Sequence, residues 1–333
     1  MKKHKNLFNQ VISLDNLYNA YRKSRKGRNN RKEILDFTLN LEEELLLLQK
    51  ELVEGKYSIG EYRNFIIYEP KKRVISALPF RDRVVQHAIC NIIEPLFDKR
   101  FVYDSYACRK GKGTHAGIKR LNKFMNKNKA TYVLKCDIKK YFPSVNNDIL
   151  KKLIRKKISD KKLLDLIDEI INSHGRGIPI GNLTSQLFAN IYLNELDYFI
   201  KHDLRLKQYI RYMDDFIVLH SDKKYLHRIK EEIICFLKGF DLELHNKKVN
   251  IYPVKNGIDF LGYLNHCFYR KVRKSTVKNS LKNLKRKFKE YEQGKKGFYK
   301  IEQSINSWEA YLNHANTFSL KKDLRREVFC FLF

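Results

Sequence analysis

The 333-residue sequence predicts a mixed α/β fold of the α+β kind, and three observations carry that reading. Apolar residues recur at helical spacing through several long stretches. Short runs rich in Ile, Val, Phe and Tyr lie between them, closed by Pro, Gly and Asp. Apolar residues make up 43% of the chain, with 21 Phe and 20 Tyr, a composition for a large buried core and not for a disordered tail. The organisation expected is a basic N-terminal extension and helix over 1–55, a central unit over 56–270, and a helical unit over 271–333.

The first 33 residues are basic and sparsely apolar. Over 32–54 the leucines cluster (Leu35, Leu39, Leu41, Leu45, Leu46, Leu47, Leu48), which predicts one helix ended by Gly55. Phe65-Ile66-Ile67-Tyr68 and Arg73-Val74-Ile75 predict a hairpin, broken by Glu69-Pro70 and basic at its tip. Helical spacing returns over 82–97, and the glycine-bearing loop 109–113 opens another helix at Thr114. Residues 132–138 read as a strand that delivers Asp137 at its end. A helical stretch covers 147–173, a glycine-rich loop 175–181, and a long amphipathic helix runs from about Thr184 to Asp203. Two strands, 208–213 and 216–220, flank Asp214-Asp215. The last 63 residues are basic and helical around Trp308-Glu309-Ala310-Tyr311.

Charge narrows the function. There are 68 Lys plus Arg against 37 Asp plus Glu, a formal net charge of +31. Self-repulsion at that level disfavours a compact state unless a polyanion offsets it. Nucleic acid is the first counter-charge to consider and an anionic membrane surface the second, but neither terminus sets Trp or Phe opposite Lys on an amphipathic segment. No apolar run reaches the ~18–20 residues of a membrane span. MKKHKNLFNQ has no apolar core behind its basic start, so no signal peptide is expected. The six cysteines form no Cys-x-x-Cys pair and read as small hydrophobes in a reducing compartment. A soluble cytoplasmic protein is expected.

The carboxylates point to chemistry. Phosphoryl transfer from a nucleotide uses two divalent ions about 4 Å apart, one on the attacking hydroxyl and one on the leaving pyrophosphate. Such hard cations take carboxylate oxygens. Asp214 and Asp215 share a turn between apolar strands, and Asp137 would join them if its strand were a neighbour. Taken singly, an Asp-Asp turn is a solvated hairpin and Asp137 a helix cap. Their ordered combination with other motifs is what changes the reading.

Tyr212-Met213-Asp214-Asp215 resembles the tyrosine-x-aspartate-aspartate box of reverse transcriptases. Asp137-Ile138-Lys139-Lys140-Tyr141-Phe142 resembles their first catalytic-aspartate motif. Residues 177–193, from Gly177-Ile178-Pro179-Ile180-Gly181 onward, resemble the motif that contacts template and incoming nucleotide, and Phe260-Leu261-Gly262-Tyr263 the primer-gripping hairpin. The four occur in the family's order, and the resemblance spans roughly residues 56–320. It implies a right hand: fingers, a mixed α/β palm and a helical thumb.

Roles follow on the matching positions. Asp137, Ile138, Asp214 and Asp215 would hold two Mg²⁺ ions, with Mn²⁺ as a substitute. Phe142 would be the steric gate against a 2′-hydroxyl, an ordinary core phenylalanine being its alternative. Lys71, Arg73 and Arg81 would bind the triphosphate, with Arg73 leading and a solvated basic hairpin the alternative for Lys71. Ile180 and Gly181 would meet the nucleotide, and Lys247 or Lys248 would act as a late acid near the pyrophosphate. Ser185, Gln186, Tyr212, Met213, Phe260, Leu261, Gly262 and Tyr263 would contact template or primer. The partners implied are template RNA, an RNA–DNA hybrid, deoxynucleotides and a small basic helical accessory protein, in a bacterial or phage-encoded setting.

Within the family, most members carry glutamine before the glycine of the nucleotide-contacting motif. Here Ile180 precedes Gly181, and Ser185 is followed by Gln186, a version that resembles the error-prone reverse transcriptases of diversity-generating retroelements. The lysines and arginines over 271–289 would line much of a helix circumference for template–primer phosphates. Residues 1–33 would be a contact for RNA or accessory protein, or a disordered basic arm. Past the primer-gripping motif the expected room is for a thumb, not for an endonuclease or ribonuclease H domain. The alternatives are a defence-associated or group II-like reverse transcriptase and, from another class, a catalytically silent RNA-binding scaffold.

Overall fold

The computed structural model describes residues 3–68, 72–127, 130–323 and Arg326. Its basic N-terminal segment is folded, not an arm. α1 (Phe8–Val11) leads to α2 (Leu14–Ser24), whose N-terminus Ser13 caps by accepting from the Asn16 amide. Leu17, Ala20 and Tyr21 bury the inner face of α2. The leucine-rich stretch forms two helices, α3 (Lys32–Leu39) and α4 (Leu41–Glu54), because Asn40 leaves helical dihedrals between them. Gly55, at φ +68°, ends α4 as expected. These helices share one hydrophobic core with the central unit, so 1–55 is not a separate body.

β1 (Arg63–Ile67) and β2 (Arg73–Ala77) form the expected antiparallel hairpin, exposed along most of its length. Lys71, at its tip, lies outside the described residues. α5 (Phe80–Asp98) is a central helix, with Val84, Val85, Ala88, Ile89 and Ile93 fully buried against α2 and its neighbours. After α6 (Thr114–Lys127) comes β3 (Tyr132–Asp137), then the single turn α7 (Tyr141–Ser144). The predicted 147–173 helix is two: α8 (Asn147–Arg155) and α9 (Lys161–Asn172), capped separately by Asn146 and Asp160. Asp160 also accepts from the Leu7 and Phe8 amides at 2.7 and 2.9 Å, which ties the N-terminus down.

α10 (Leu183–Tyr198) continues as a π-helical turn over Phe199–Asp203. It is buried on nearly every side, where amphipathic spacing was expected, because α5, α8 and a later helix all pack on it. β4 (Tyr209–Tyr212) and β5 (Asp215–His220) form the predicted tight hairpin. α11 (Lys223–Lys238) covers the sheet, and β6 (Asn250–Pro253) completes it in the order β4-β5-β3-β6, all antiparallel.

A second small sheet, β7 (Ile258–Phe260), β8 (Tyr263–Asn265) and β9 (Arg270–Val272), leads into α12 (Lys274–Glu292) and α13 (Tyr299–Leu312). Leu284, Phe288, Ile301 and Leu312 bury the contact between these two helices. Lys274, Lys278, Lys282, Lys285, Arg286 and Lys289 are exposed and Lys287 is half-buried, so the cations spread around much of the circumference that this contact leaves open. Among the described residues no helix is long and apolar enough to cross a membrane.

Candidate active site

The palm sheet brings together the aspartates that the sequence separates by 77 positions. β3 and β5 are antiparallel neighbours, and their register sets Asp137 directly opposite Asp215. The Ile138 amide donates to the Asp214 carbonyl at 3.1 Å and the His245 amide to the Asp137 carbonyl at 2.8 Å. Both carboxylate-bearing loops are thus stapled through backbone, and Met213 takes φ +55° to close the turn. A non-glycine residue in the left-handed region is strained, and here the ladder on either side holds it.

Electrostatics mark the same place. Burial pushes the Asp215 carboxyl up to about 7, with the charges of Asp137 and Asp214 adding to the rise and Lys135 opposing it. The Asp214 carboxyl is raised too, first by burial and then by Asp137, while Lys248 and Arg73 draw it down. Asp215 Oδ1 is buried with no hydrogen-bond partner among the described residues. An unpaired buried carboxylate oxygen is unfavourable by several kcal/mol or more unless a cation or donor meets it, so the donor set fits a hard divalent ion. Among the described residues no three His, Cys, Asp or Glu side chains stand in ligand geometry, Asp137 being turned to Lys248 Nζ at 2.6 Å. The Ile138 side chain is buried and its amide engaged, which leaves its carbonyl as the only group it can offer a metal.

Other predicted residues divide sharply. Ile180 and Gly181 meet the finger strand: the Ser76 amide donates to the Ile180 carbonyl at 2.9 Å. At Gly181, with φ +131°, an added Cβ would stand 2.8 Å from the Ser76 carbonyl oxygen. Arg73 lies on that same strand, near enough for its charge to act on Asp214. Lys248 is in the site and Lys247 is exposed, which separates the adjacent pair. Phe142 is half-buried on α7, its ring edge-on to Tyr141, and its carbonyl accepts from the Ile178 amide at 3.0 Å.

Arg81 departs from expectation. It pairs with Glu51 on α4 and stacks over Tyr57 at 5.5 Å, so its charge is spent on anchoring the N-terminal helices. Ser185 is buried beneath the loop, whereas Gln186 beside it is exposed. Tyr212 is half-buried, with its hydroxyl 3.4 Å from Thr114 Oγ1. Phe260 and Tyr263 have fully buried side chains, because both pack inward from the hairpin. Only its turn, Leu261-Gly262, can reach a primer. Tyr311 clamps that turn by donating to the Gly262 carbonyl at 3.0 Å.

The sequence reading missed a buried network behind the Asp-Asp turn. Arg211 on β4 has no exposed side-chain surface, and neither does its partner Asp197 on α10. The guanidinium pairs with both carboxylate oxygens at 2.7 and 2.6 Å, and also donates to Asn190 Oδ1, Ser105 Oγ and the Met213 carbonyl. The signal was available: a lone arginine in the apolar run Tyr209-Ile210-Arg211-Tyr212, and Asn190 and Asp197 seven apart on one helix stripe.

Gly177, at φ +77°, packs so closely that a Cβ would stand 2.6 Å from the Phe142 carbonyl oxygen and 2.7 Å from that of Pro143. Gly177→Ala is expected to destabilise the protein by about 1–3 kcal/mol and to displace the Phe142 turn. The check is the ratio of kcat/KM for a deoxynucleotide to that for its ribonucleotide, which should fall. An unchanged ratio would separate this loop from the sugar gate.

A four-stranded antiparallel palm carrying paired carboxylates, a finger hairpin over the nucleotide loop, and a helical thumb together make a right-hand polymerase. Residues 68–264 match the family described as reverse transcriptase (RNA-dependent DNA polymerase), and the chain belongs to that family. It is 27% identical to protein YkfC of Escherichia coli (strain K12) over 271 residues, 66% of this chain and 70% of that one. It is 29% identical to the group II intron-encoded protein LtrA of Lactococcus lactis subsp. cremoris over 249 residues, 68% of this chain but only 41% of the relative. In fold it is similar to apo telomerase from Candida tropicalis, with TM-score 0.51 and 15% identity over 74% of this chain and 57% of that one.

Proposed function

We propose that the protein copies a template RNA into cDNA by two-metal phosphoryl transfer and misincorporates preferentially opposite adenine, as enzymes of diversity-generating retroelements do. The observation that supports this is Ile180. It lies where β2 meets the nucleotide loop, next to a glycine that cannot carry a Cβ, and it offers only an apolar side chain there. A glutamine amide at this position would have a hydrogen bond to lose when a pair is misplaced, a penalty of about 1–3 kcal/mol for a buried amide. Isoleucine imposes none. The intron-type relatives support the coarser reading of an RNA-directed DNA polymerase, and Ile180 and Gln186 separate this chain from the commonest intron pattern.

In this reading Asp137, Asp214, Asp215 and the Ile138 carbonyl would hold two divalent cations, Mg²⁺ or Mn²⁺, which would supply Lewis-acid activation of a 3′-hydroxyl and charge neutralisation at the leaving pyrophosphate. Arg73 grips the triphosphate from the fingers, and Phe142 excludes a 2′-hydroxyl. Lys248, whose Nζ stands 2.6 Å from Asp137, would give a proton to the departing pyrophosphate. Gln186 faces the template, and the cations of α12 follow the phosphates of the RNA–DNA hybrid through backbone and shape. A small basic helical accessory protein and a cytoplasmic, bacterial or phage setting complete the proposal.

The test is primer extension on RNA with four deoxynucleotides, products sequenced base by base, wild type beside Ile180→Gln. Wild type should err mainly opposite adenine, and the variant should lower that frequency about tenfold, the equivalent of ~1.4 kcal/mol. Equal error in the two enzymes would remove Ile180 from the account. Faithful wild-type synthesis would remove the retroelement reading and keep the polymerase.

A further inference from the structure

Lys135 is a half-buried cation on an otherwise apolar stretch of sheet, one rung below Asp137 and Asp215. Side chains of β3 alternate between the two faces, so Val133, Lys135 and Asp137 share one, and the register sets them opposite Leu219, Ile217 and Asp215. Val133, Ile217 and Leu219 are buried in one hydrophobic cluster with Ile258 and Phe260 of β7. An ammonium in that layer is unfavourable unless it meets an acceptor. The acceptor is not a carboxylate but the Asp259 backbone carbonyl, at 2.5 Å from Lys135 Nζ.

Two strands are joined through this side chain. β3 ends two residues after Lys135, at Asp137, and two residues after Asp259 the chain enters the turn Leu261-Gly262. The Asp259 carboxylate pairs with Arg273, which stands at the head of α12 and whose amide donates to the Gly262 carbonyl at 3.2 Å. Asp259 thus ties palm, hairpin and thumb together, and Lys135 supplies the tie from the palm. Apolar packing seats β7 on the sheet without fixing a direction. The charged hydrogen bond fixes its height above β3 and its place along it.

We propose that Lys135 is a positioning residue for the primer terminus: by holding the Asp259 carbonyl it sets how far the Leu261-Gly262 turn stands from Asp137, Asp214 and Asp215. It acts through β7 and not on the reacting atoms. The proposal rests on the polymerase reading and adds to it the group that sets the spacing between primer and aspartates. A reacting hydroxyl displaced by about 1 Å loses on the order of a hundredfold in rate. Lys135 also draws the Asp215 carboxyl down by its charge. A residue acting by that route alone would alter metal binding and leave β7 in place, so the two roles are separable.

The experiment combines amide hydrogen exchange with single-nucleotide extension of a DNA primer on RNA, for wild type, Lys135→Met and Lys135→Arg. Methionine keeps an unbranched apolar stem without the donors. In Lys135→Met the amides over 258–264 should exchange about threefold or more faster, while those of β3 and β5 keep their rates. Its kcat should fall about thirtyfold, with the deoxynucleotide KM and the Mg²⁺ requirement within about threefold of wild type. Arginine keeps both charge and donors, so Lys135→Arg should restore the exchange rates and most of kcat. Unchanged exchange at 258–264 overturns the proposal whether or not the chain polymerises. So does a kcat that holds while those amides loosen, a change confined to the Mg²⁺ requirement, or a general loosening of the palm sheet that arginine does not repair. A wild type that extends no primer sinks the polymerase reading and the proposal with it, and the exchange result tells that failure from the proposal's own.

Discussion

Replacing Asp214 by alanine is expected to reduce primer extension on RNA about a thousandfold or more while leaving the fold intact. The loss follows from the metal-ligand role proposed for Asp214: a cation that stabilises developing transition-state charge is worth several kcal/mol, and each ~1.4 kcal/mol is a decade in rate. Folding should survive because Asp214 enters the architecture through its backbone carbonyl, which accepts from the Ile138 amide whatever the side chain. Its carboxyl is buried, and the neighbouring Asp137 raises it further, so its removal relieves an unfavourable charge. The thermal midpoint should hold or rise, and binding to template RNA should not change. Extension within tenfold of wild type would take Asp214 out of the ligand set. No extension by wild type, even with structured template flanks and a candidate accessory protein supplied, would favour the silent RNA-binding scaffold.

How much of this was readable in the sequence depends on how local the cause is. The Asp-Asp turn, the strand ending at Asp137 and the finger hairpin were readable because period-two apolar runs and turn residues set them within a few positions. The split of 32–54 at Asn40 was not, since a leucine cluster gives the same signal for one helix or for two that pack on one core. Burial of α10 on nearly every side was hidden for a related reason. Amphipathic spacing leaves room for an outer polar face, yet its polar residues Asn190 and Asp197 are turned inward, toward Arg211 and the Ala107 carbonyl. The fate of Arg81 was equally unreadable, because nothing nearby in sequence shows that Glu51 will arrive beside it. Motif resemblance placed the first contacts of the site, and only the fold showed what holds them.

What holds them gives the second large effect. Asp197→Ala is expected to destabilise the protein by about 3–5 kcal/mol, the usual consequence of leaving one member of a buried ion pair without its partner. Arg211 would keep its charge in a place with no solvent-exposed side-chain surface, and Tyr209 would lose the acceptor it now meets at 2.6 Å. Chemical denaturation measures this directly. Activity should fall further than the unfolded fraction explains, since the same guanidinium donates to the Met213 carbonyl at 3.0 Å and so sets the turn that presents Asp214 and Asp215. The double variant Asp197→Leu/Arg211→Met separates the two roles. Apolar groups of similar volume often replace a buried pair with little loss, so much of the stability should return. The hydrogen bond to Met213 cannot return, and kcat should stay low. A double variant both stable and fully active would mean that Arg211 serves only the core. A single variant losing under ~1 kcal/mol would mean that Arg211 finds another partner when Asp197 is gone.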